Sequence, residues 1–147
     1  MLRIQLSAHA LIISFFVLAS CGRNSTDPSE AASPTPRRFG SVTGLKQEKV
    51  AYYKQLHAET WPGVLKKLKE CNIRNYSIYL HEIDGKPYLF SYYEYVGDNY
   101  EKDMERIAAD STTQAWWRET DPCQLPLPEA TTGNKIWTEM EEVFHTN

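Results

Sequence analysis

The stretch NYSIYLHEIDGKPYLFSYYEYV, residues 75–96, carries the pattern that decides the fold of this chain. Residues 75–83 alternate between apolar side chains and more polar neighbours, which is typical of a strand with one buried side. Asp84-Gly85 follows, a dipeptide that favours a tight hairpin turn. Residues 87–96 then return as a second strand, so the stretch predicts an antiparallel β-hairpin. The residues predicted to share one side of the first strand are Tyr76, Ile78 and Leu80.

Helical periodicity lies on both sides of this hairpin. Upstream, apolar and aromatic residues recur every three or four positions over residues 46–60, and Pro62 is expected to interrupt and restart the helix. Downstream, the same period predicts a helix over residues 100–111 and a further helical segment over residues 112–120. The hairpin is therefore flanked by helices that each have an apolar face to bury.

Two outer strands complete the predicted domain, at residues 39–45 and 135–145, with a proline-rich loop before the second. The order strand, helix, strand, strand, helix, strand is that of a ferredoxin-like α+β fold, an antiparallel four-stranded sheet with its helices on one face. The other face would be bare although it is rich in Tyr and Phe. We therefore expect a homodimer, with a ligand held in each subunit between sheet and helices.

The N-terminus resembles a bacterial lipoprotein signal. Residues 1–21 contain a short apolar run at 11–18, and Leu18-Ala19-Ser20-Cys21 resembles a lipobox. The pattern predicts lipidation at Cys21, which would become the first residue of the mature protein. An ordinary secretory signal with an incidental cysteine is the alternative.

Residues 22–38 are rich in Ser, Thr and Pro and show no apolar periodicity, which predicts a disordered tether. Residues 39–147 are left as the folded domain. Together with the signal, this order predicts a protein in the cell envelope, on the periplasmic side of a bacterial membrane. Its lipid anchor would be its only contact with that membrane.

Composition excludes some classes of function. The chain has 16 Lys and Arg against 19 Asp and Glu and no basic stripe, which argues against nucleic acid. Cys71 and Cys123 could form a disulfide in an oxidising compartment, but two partly buried free thiols are an equal alternative. Neither has the neighbours of a metal site, so no metal is predicted.

Tyr53, His57 and Trp61 follow one another at intervals of four residues, which places them on one face of a helix. Such a stripe of side chains with polar tips indicates a partly solvated pocket rather than an apolar core. A histidine that merely completes a core or a surface is the alternative. The other residues predicted to line this pocket are Tyr76 and the adjacent pair Trp116 and Trp117.

Four motifs, in one order and with compatible spacing, resemble the L-rhamnose mutarotase family over about residues 42–144. They are Tyr53-x-x-x-His57-x-x-x-Trp61-Pro62, Asn75-Tyr76-x-Ile78-Tyr79-Leu80, Gln114-x-Trp116-Trp117 and Glu142-Val143-Phe144. The resemblance implies a dimeric ferredoxin-like fold and the interconversion of the α and β anomers of L-rhamnose. This isomerase reaction requires no metal and no cofactor.

The same resemblance implies His57 as proton donor and Tyr53, Tyr76, Trp116 and Trp117 as contacts to the sugar. The chemistry agrees with these roles. Ring opening needs a base at the anomeric hydroxyl and an acid at the ring oxygen, and an imidazole exchanges protons near neutral pH. Phenols hydrogen-bond sugar hydroxyls, and indoles suit the apolar face and methyl group of a 6-deoxy sugar.

Two features depart from the family. The family is associated with cytoplasmic rhamnose catabolism, whereas the N-terminus predicts export, and residues 121–134 do not follow the family pattern. Two other functions also remain open. A non-catalytic sugar-binding lipoprotein would use the same aromatic residues without needing His57. A haem or monooxygenase-type member of the same superfold would use a helix histidine to ligate iron.

Overall fold

The computed structural model describes residues 35–146. The signal peptide predicted at 1–21, with the lipidation predicted at Cys21, and most of the tether predicted at 22–38 lie outside these residues. The first strand begins at Arg37, two residues before the predicted domain boundary. The elements, in chain order, are β1 (Arg37–Leu45), α1 (Val50–Ala58), α2 (Pro62–Glu70), β2 (Ile73–Ile83), β3 (Lys86–Tyr95), α3 (Tyr100–Ala108), α4 (Ser111–Thr120), β4 (Gln124–Leu125), α5 (Pro128–Thr132) and β5 (Thr138–Met140).

The predicted hairpin is formed by β2 and β3. Ile83 pairs with Lys86 across a two-residue turn, in which Asp84 and Gly85 have φ angles of 51° and 73°. Both angles lie in the left-handed region, as in the turns whose twist matches that of the flanking strands. Because a two-residue turn leaves no slack, it sets the register of the whole hairpin.

One irregularity in β2 determines where its aromatic residue points. The pairing with β3 shifts by one residue between Arg74 and Ser77, and Asn75 within this bulge has a φ of 51°. The extra residue lets Ile73 and Tyr76 face the helices together, although they lie three positions apart. The bulge therefore turns Tyr76 toward the interior of the domain.

The strands form one antiparallel sheet in the order β2-β3-β1-β4, and β5 also pairs with β1. This confirms the ferredoxin-like α+β plan but changes its last strand. Residues 135–145 contribute only the three-residue β5, and β4 occupies the rest of that edge. At the start of the predicted strand the reason is β4, which pairs with Gly44 and Leu45, the residues that the register of β5 would set against residues 136 and 135. At the other end, continuing the register would set Val143 against Arg37, the first residue of β1, so residues 144 and 145 lie beyond it.

The helices begin where the sequence provides a cap. Pro62 occupies the first turn of α2 and separates it from α1, as predicted. Asn99 and Asp110 accept backbone hydrogen bonds at 3.1 and 2.9 Å and so begin α3 and α4. The Asp110 cap explains why α3 ends at Ala108 instead of continuing to residue 111. No helix within residues 35–146 is long and apolar enough to cross a membrane.

The apolar packing between sheet and helices is divided into two clusters. Cys71 and Cys123 are both free and buried, and they lie in different clusters. The first cluster comprises Leu45, Tyr53, Leu89 and Cys123, and the second comprises Cys71, Ile73, Tyr95 and Ile107. Residues of both clusters border the same internal space, so the core is built around a cavity.

The opposite face of the sheet is not covered by the helices. Its side chains alternate along the strands with those that face the cavity. Tyr79 is 63% exposed and Met140 is 43% exposed, and Phe90 and Tyr92 are half-buried. This is the aromatic face that the sequence predicted to be bare.

Candidate active site

A cavity of about 620 Å³ lies between β1 to β3 and helices α1 to α4, a volume within the range of small-molecule sites. Most of its wall is apolar, formed by aliphatic side chains from both core clusters. The side chains with polar tips or indole rings in its lining are Tyr53, Lys54, His57, Thr60, Tyr76, Tyr93, Thr113, Trp116 and Trp117. Such a mixed wall suits a ligand that has both hydroxyl groups and an apolar face.

His57 is held on three sides near the end of α1. Its Nδ1 lies 2.9 Å from the backbone oxygen of Tyr53, one helical turn earlier. Its ring stacks on the Tyr53 ring at 4.2 Å between centroids and meets the edge of Trp116 at 5.2 Å. Because a carbonyl oxygen only accepts, Nδ1 carries the hydrogen, and in the neutral ring the lone pair is then on Nε2. The fold thus selects one tautomer of this imidazole.

Burial lowers the pKa of His57 below its ordinary value, and the hydrogen bond to the Tyr53 carbonyl opposes this shift only in part. The imidazole is therefore neutral at pH 7. A neutral imidazole with a lone pair on Nε2 is a proton acceptor. Since His57 lines the cavity, this basic nitrogen belongs to the site.

Tyr53 and Tyr76 bring two phenols to the same cavity. Tyr53 is 4% exposed, and burial raises its pKa well above the ordinary value. The polar side chain of Gln124 opposes that rise in pKa. Tyr76 as a whole residue is 44% exposed, yet burial raises its pKa to about 12. Both phenols keep their protons at neutral pH and are hydrogen-bond donors.

Tyr93 is a cavity residue that the sequence reasoning missed. Its hydroxyl lies 2.7 Å from that of Tyr100, and its ring meets the edge of the Tyr76 ring at 5.6 Å between centroids. The available signal was the alternation of β3, because Leu89 and Tyr93 lie an even number of residues apart and both line the cavity. Tyr93 connects the Tyr76 side of the cavity to α3.

The two adjacent tryptophans both line the cavity, but in different ways. Trp116 is buried at 6% exposure, whereas Trp117 is 37% exposed. Trp61 does not share the α1 stripe as predicted, since α1 ends at Ala58 and Trp61 instead precedes α2. It packs edge-on against Trp116 at 5.4 Å, so it supports the site from outside the cavity.

The structure therefore brings together all five residues predicted for sugar chemistry. They are Tyr53, His57, Tyr76, Trp116 and Trp117. Within residues 35–146, no three His, Cys, Asp or Glu side chains are placed to hold a metal ion.

Comparisons with known proteins identify the family. The sequence model of the family described as L-rhamnose mutarotase matches residues 38–146. A curated L-rhamnose mutarotase from Lactiplantibacillus plantarum is 33% identical over 109 residues, which are 74% of this chain and 96% of that protein. One from Bacillus subtilis is 29% identical over 109 residues, which are 74% of this chain and 97% of that protein.

The prediction of a lipid-anchored protein on the periplasmic side of the cell envelope is wrong. The matches cover 96% and 97% of the two relatives, so these enzymes consist almost entirely of this domain. They have no room for a counterpart of the leader and tether predicted at residues 1–38.

A solved structure has the same fold. The L-rhamnose mutarotase from Formosa agariphila superposes with a TM-score of 0.57 at 23% identity, over 76% of this chain and 99% of that chain. At that identity the likeness establishes the α+β fold. With the family match over residues 38–146, it follows that this chain belongs to the L-rhamnose mutarotase family, a family of isomerases.

Proposed function

We propose that this protein interconverts the α and β anomers of L-rhamnose by opening and closing the pyranose ring in the cavity. The observation that carries the proposal is the state of His57. Its Nδ1 is committed to the Tyr53 carbonyl at 2.9 Å, and burial holds its pKa low, so a basic Nε2 is available at neutral pH. Ring opening begins with the removal of a proton from the anomeric hydroxyl, which is the task of such a base.

In the opening step, His57 Nε2 takes the proton of the anomeric O1. The electron pair of the O1–H bond forms the C1=O1 double bond, the bond from C1 to the ring oxygen breaks, and the ring oxygen takes a proton from a phenol. Rotation about the C1–C2 bond then exposes the other face of the aldehyde. Closure reverses both transfers, so the imidazolium returns its proton to O1. The role of His57 as proton donor thus belongs to closure and its role as acceptor to opening.

Tyr76 is the better candidate for the acid at the ring oxygen. Its pKa of about 12 is lower than that of Tyr53, which burial raises further. A phenol with the lower pKa gives up its proton to the leaving oxygen at a smaller cost. Tyr53 remains protonated and suits a fixed hydrogen bond to a sugar hydroxyl.

The indoles supply the apolar half of the binding site. Trp116 and Trp117 both line the cavity, and flat rings of this kind pack against the C–H face of a sugar. The aliphatic wall suits the methyl group at C6 of a 6-deoxy sugar. A sugar with a 6-hydroxyl would place a polar group against this wall.

The test is exchange NMR of the full-length protein with L-rhamnose across pH 6 to 8. We expect line broadening and saturation transfer between the two anomeric resonances above the uncatalysed rate, with no added metal or cofactor. Binding without faster exchange would favour the sugar-binding alternative. An absorbance band near the Soret position that is lost in His57→Ala would favour the haem alternative. L-mannose, which differs from L-rhamnose by a 6-hydroxyl, is the matched control and should be exchanged less efficiently.

We also propose that the protein acts as a homodimer in which the bare sheet faces pack together. Tyr79 and Met140 on that face are 63% and 43% exposed, and the tail residues Val143 and Phe144 are 89% and 80% exposed. An aromatic sheet face and an apolar tail without a cover in their own subunit fit a second copy of the chain.

Light scattering at micromolar concentration should give twice the monomer mass. Tyr79→Glu should shift this mass toward the monomer, because it would bury a charge opposite its own copy. Glu82→Gln, at an exposed position farther along the same strand, is the control and should remain dimeric. A monomer mass for the unmodified protein would contradict the dimer without touching the proposed reaction.

A further inference from the structure

Tyr93 is a cavity residue that the mechanism above does not use. It pairs with Phe39 of β1, and its ring stacks on the Phe39 ring at 4.9 Å between centroids. The Tyr76 ring lies edge-on to it at 5.6 Å. Its hydroxyl lies 2.7 Å from the hydroxyl of Tyr100, the first residue of α3. Tyr93 is therefore held in one place, beside the phenol that we propose as the acid.

The cavity wall around Tyr93 is otherwise apolar. The residues that belong to the second cluster or pack against it, and that also line the cavity, are Leu68, Ile73, Tyr93, Met104 and Ile107. Among these five, Tyr93 has the only side-chain hydrogen-bond donor. A sugar that reaches this part of the wall meets apolar side chains and a single hydroxyl.

The two phenols have one more proton than the contact between them uses. A hydrogen bond of 2.7 Å between hydroxyls takes one proton, and each phenol carries one. If Tyr100 donates, Tyr93 still has a proton to donate to another group. If Tyr93 donates, its oxygen can still accept. Within residues 35–146 no other hydrogen bond reaches the Tyr93 hydroxyl, so in either arrangement it can bind a ligand hydroxyl.

A structural role alone does not require these two hydroxyls. Replacing both partners of a hydrogen bond by apolar groups of the same shape is nearly neutral for stability, so two phenylalanines would fill the same space. Phe39 already packs between the two rings by stacking alone, at 4.9 Å from Tyr93 and 4.7 Å from Tyr100. A pair of hydroxyls beside the cavity is explained if one of them binds the substrate.

We propose that Tyr93 is a substrate-binding residue whose hydroxyl hydrogen-bonds the C4 hydroxyl of the sugar. The inference rests on the proposed function, which places O1 at His57 and the ring oxygen at Tyr76. In the described part of the chain Tyr93 contacts the Tyr76 ring but not the His57 ring, so along the sugar it comes after Tyr76. The ring oxygen of the pyranose is followed by C5, which bears the methyl group, and then by C4. The methyl group and the C4 hydroxyl are neighbours in the sugar, as the apolar side chains and Tyr93 are neighbours in the wall.

The experiment measures the Kd of L-rhamnose and of 4-deoxy-L-rhamnose by calorimetric titration of the full-length protein and of Tyr93→Phe. The substitution keeps the ring but removes the hydroxyl, so the Kd of L-rhamnose should rise about threefold to tenfold, as for the loss of one ordinary hydrogen bond. The 4-deoxy sugar lacks the partner of that hydroxyl, so its Kd should change by less than about twofold. The control sugar, 2-deoxy-L-rhamnose, keeps the C4 hydroxyl and should lose as much affinity as L-rhamnose. An unchanged Kd for L-rhamnose, or equal losses for L-rhamnose and the 4-deoxy sugar, would overturn the inference.

Tyr100→Phe is the matched control variant, because Tyr100 is not among the residues that line the cavity. It removes the same hydrogen bond between hydroxyls but keeps the hydroxyl of Tyr93, so the Kd of L-rhamnose should stay within about twofold of the wild-type value. The double variant leaves neither hydroxyl unpaired. It should therefore be more stable to urea than Tyr93→Phe while binding L-rhamnose just as weakly. Equal losses of affinity in the two single variants would indicate a purely structural pair and overturn the inference.

Titration measures binding without turnover, so it separates this inference from the proposed function. Binding with the expected differences between the sugars, but without anomer exchange in the wild type, would contradict the proposed function alone. Catalysed exchange in the wild type, with no difference between the sugars in Tyr93→Phe, would overturn the inference alone. A wild-type protein that binds none of the three sugars would contradict both.

Discussion

Tyr92 and Tyr93 are adjacent on β3 and yet lie in two different chemical environments. Tyr93 faces the helices, lines the cavity and places its hydroxyl 2.7 Å from that of Tyr100. Tyr92 faces the open side of the sheet, where its hydroxyl donates to Glu94 at 2.8 Å. Burial is the first cause that raises the pKa of both phenols, and Tyr93 is raised much the further. The side of the strand, rather than the type of residue, decides the chemistry.

The same rule separates the histidines. His57 faces the cavity and has a lowered pKa because it is partly desolvated. His81 on β2 is exposed, opposite Tyr88 on the uncovered face. His81 therefore keeps water as a hydrogen-bond partner and is not forced to find one within the protein. On the cavity side, burial excludes water. His57 is therefore a neutral base there, and several hydrogen-bond donors have fixed partners.

The largest expected difference between the two sides is catalytic. His57→Ala should lower kcat for L-rhamnose exchange by 10²- to 10⁴-fold, the usual contribution of an acid–base group, whereas His81→Ala should change it less than twofold. Because His57 also packs on Tyr53 and Trp116, a second variant, His57→Gln, tests whether a folded protein without the imidazole is equally slow. Equal rates for the two alanine variants, measured by exchange NMR, would remove the distinction between the sides.

The next difference concerns stability, and it tests whether a second copy of the chain packs on the open face of the sheet. Leu89→Ala should lower the free energy of unfolding by about 2–5 kcal/mol, since Leu89 is 2% exposed and its removal leaves a cavity. Phe90, the next residue, is only half-buried in the single subunit, so Phe90→Ala should cost less there. Urea denaturation at several protein concentrations checks both. A large cost for Phe90→Ala that grows with protein concentration would show a second copy on this face.

The dependence of rate on pH follows from His57. Its lowered pKa keeps the base neutral below pH 6.5, so kcat/KM should be flat near pH 7 and fall only at lower pH, tenfold per unit beyond the folded pKa. Stability should decline just above that range, between the ordinary pKa of 6.5 and the lowered folded pKa, because the unfolded chain binds the proton at a higher pH than the folded one. The acid-catalysed background of the sugar is subtracted, and His81→Ala should keep the same profile. A rate that already falls as the pH is lowered from 8 to 7 would contradict a neutral base.

The features that could be predicted from sequence are those set by near neighbours in the chain. The Asp84-Gly85 turn and the alternation around it identify the hairpin, and an interval of four residues brings Tyr53 and His57 together on α1. Trp61 was placed wrongly because the helix ends before it, where Pro62 starts another.

Features that depend on distant residues could not be read in this way. The bulge at Asn75 appears only as a shift in the pairing of two strands. The edge-on contact between Trp61 and Trp116 joins the start of α2 to α4, which no local pattern links. The shortened start of the last strand follows from the pairing of β4 with Gly44 and Leu45, which come far earlier in the chain.

The smallest difference is expected between the two tyrosines themselves. Tyr93→Phe removes a part-buried hydroxyl and leaves that of Tyr100 without its partner, so it should cost about 1 kcal/mol of unfolding free energy. Tyr92→Phe breaks a hydrogen bond to Glu94, which also accepts from Asn75 at 2.6 Å, so the carboxylate keeps a donor and the cost should stay below about 0.5 kcal/mol. Thermal and urea unfolding of both variants measure the pair. Tyr93→Phe should also change the exchange kinetics, because its ring contacts Tyr76, and Tyr92→Phe should not. If the two phenylalanine variants matched in stability and in rate, the side of the strand would not be what distinguishes these residues.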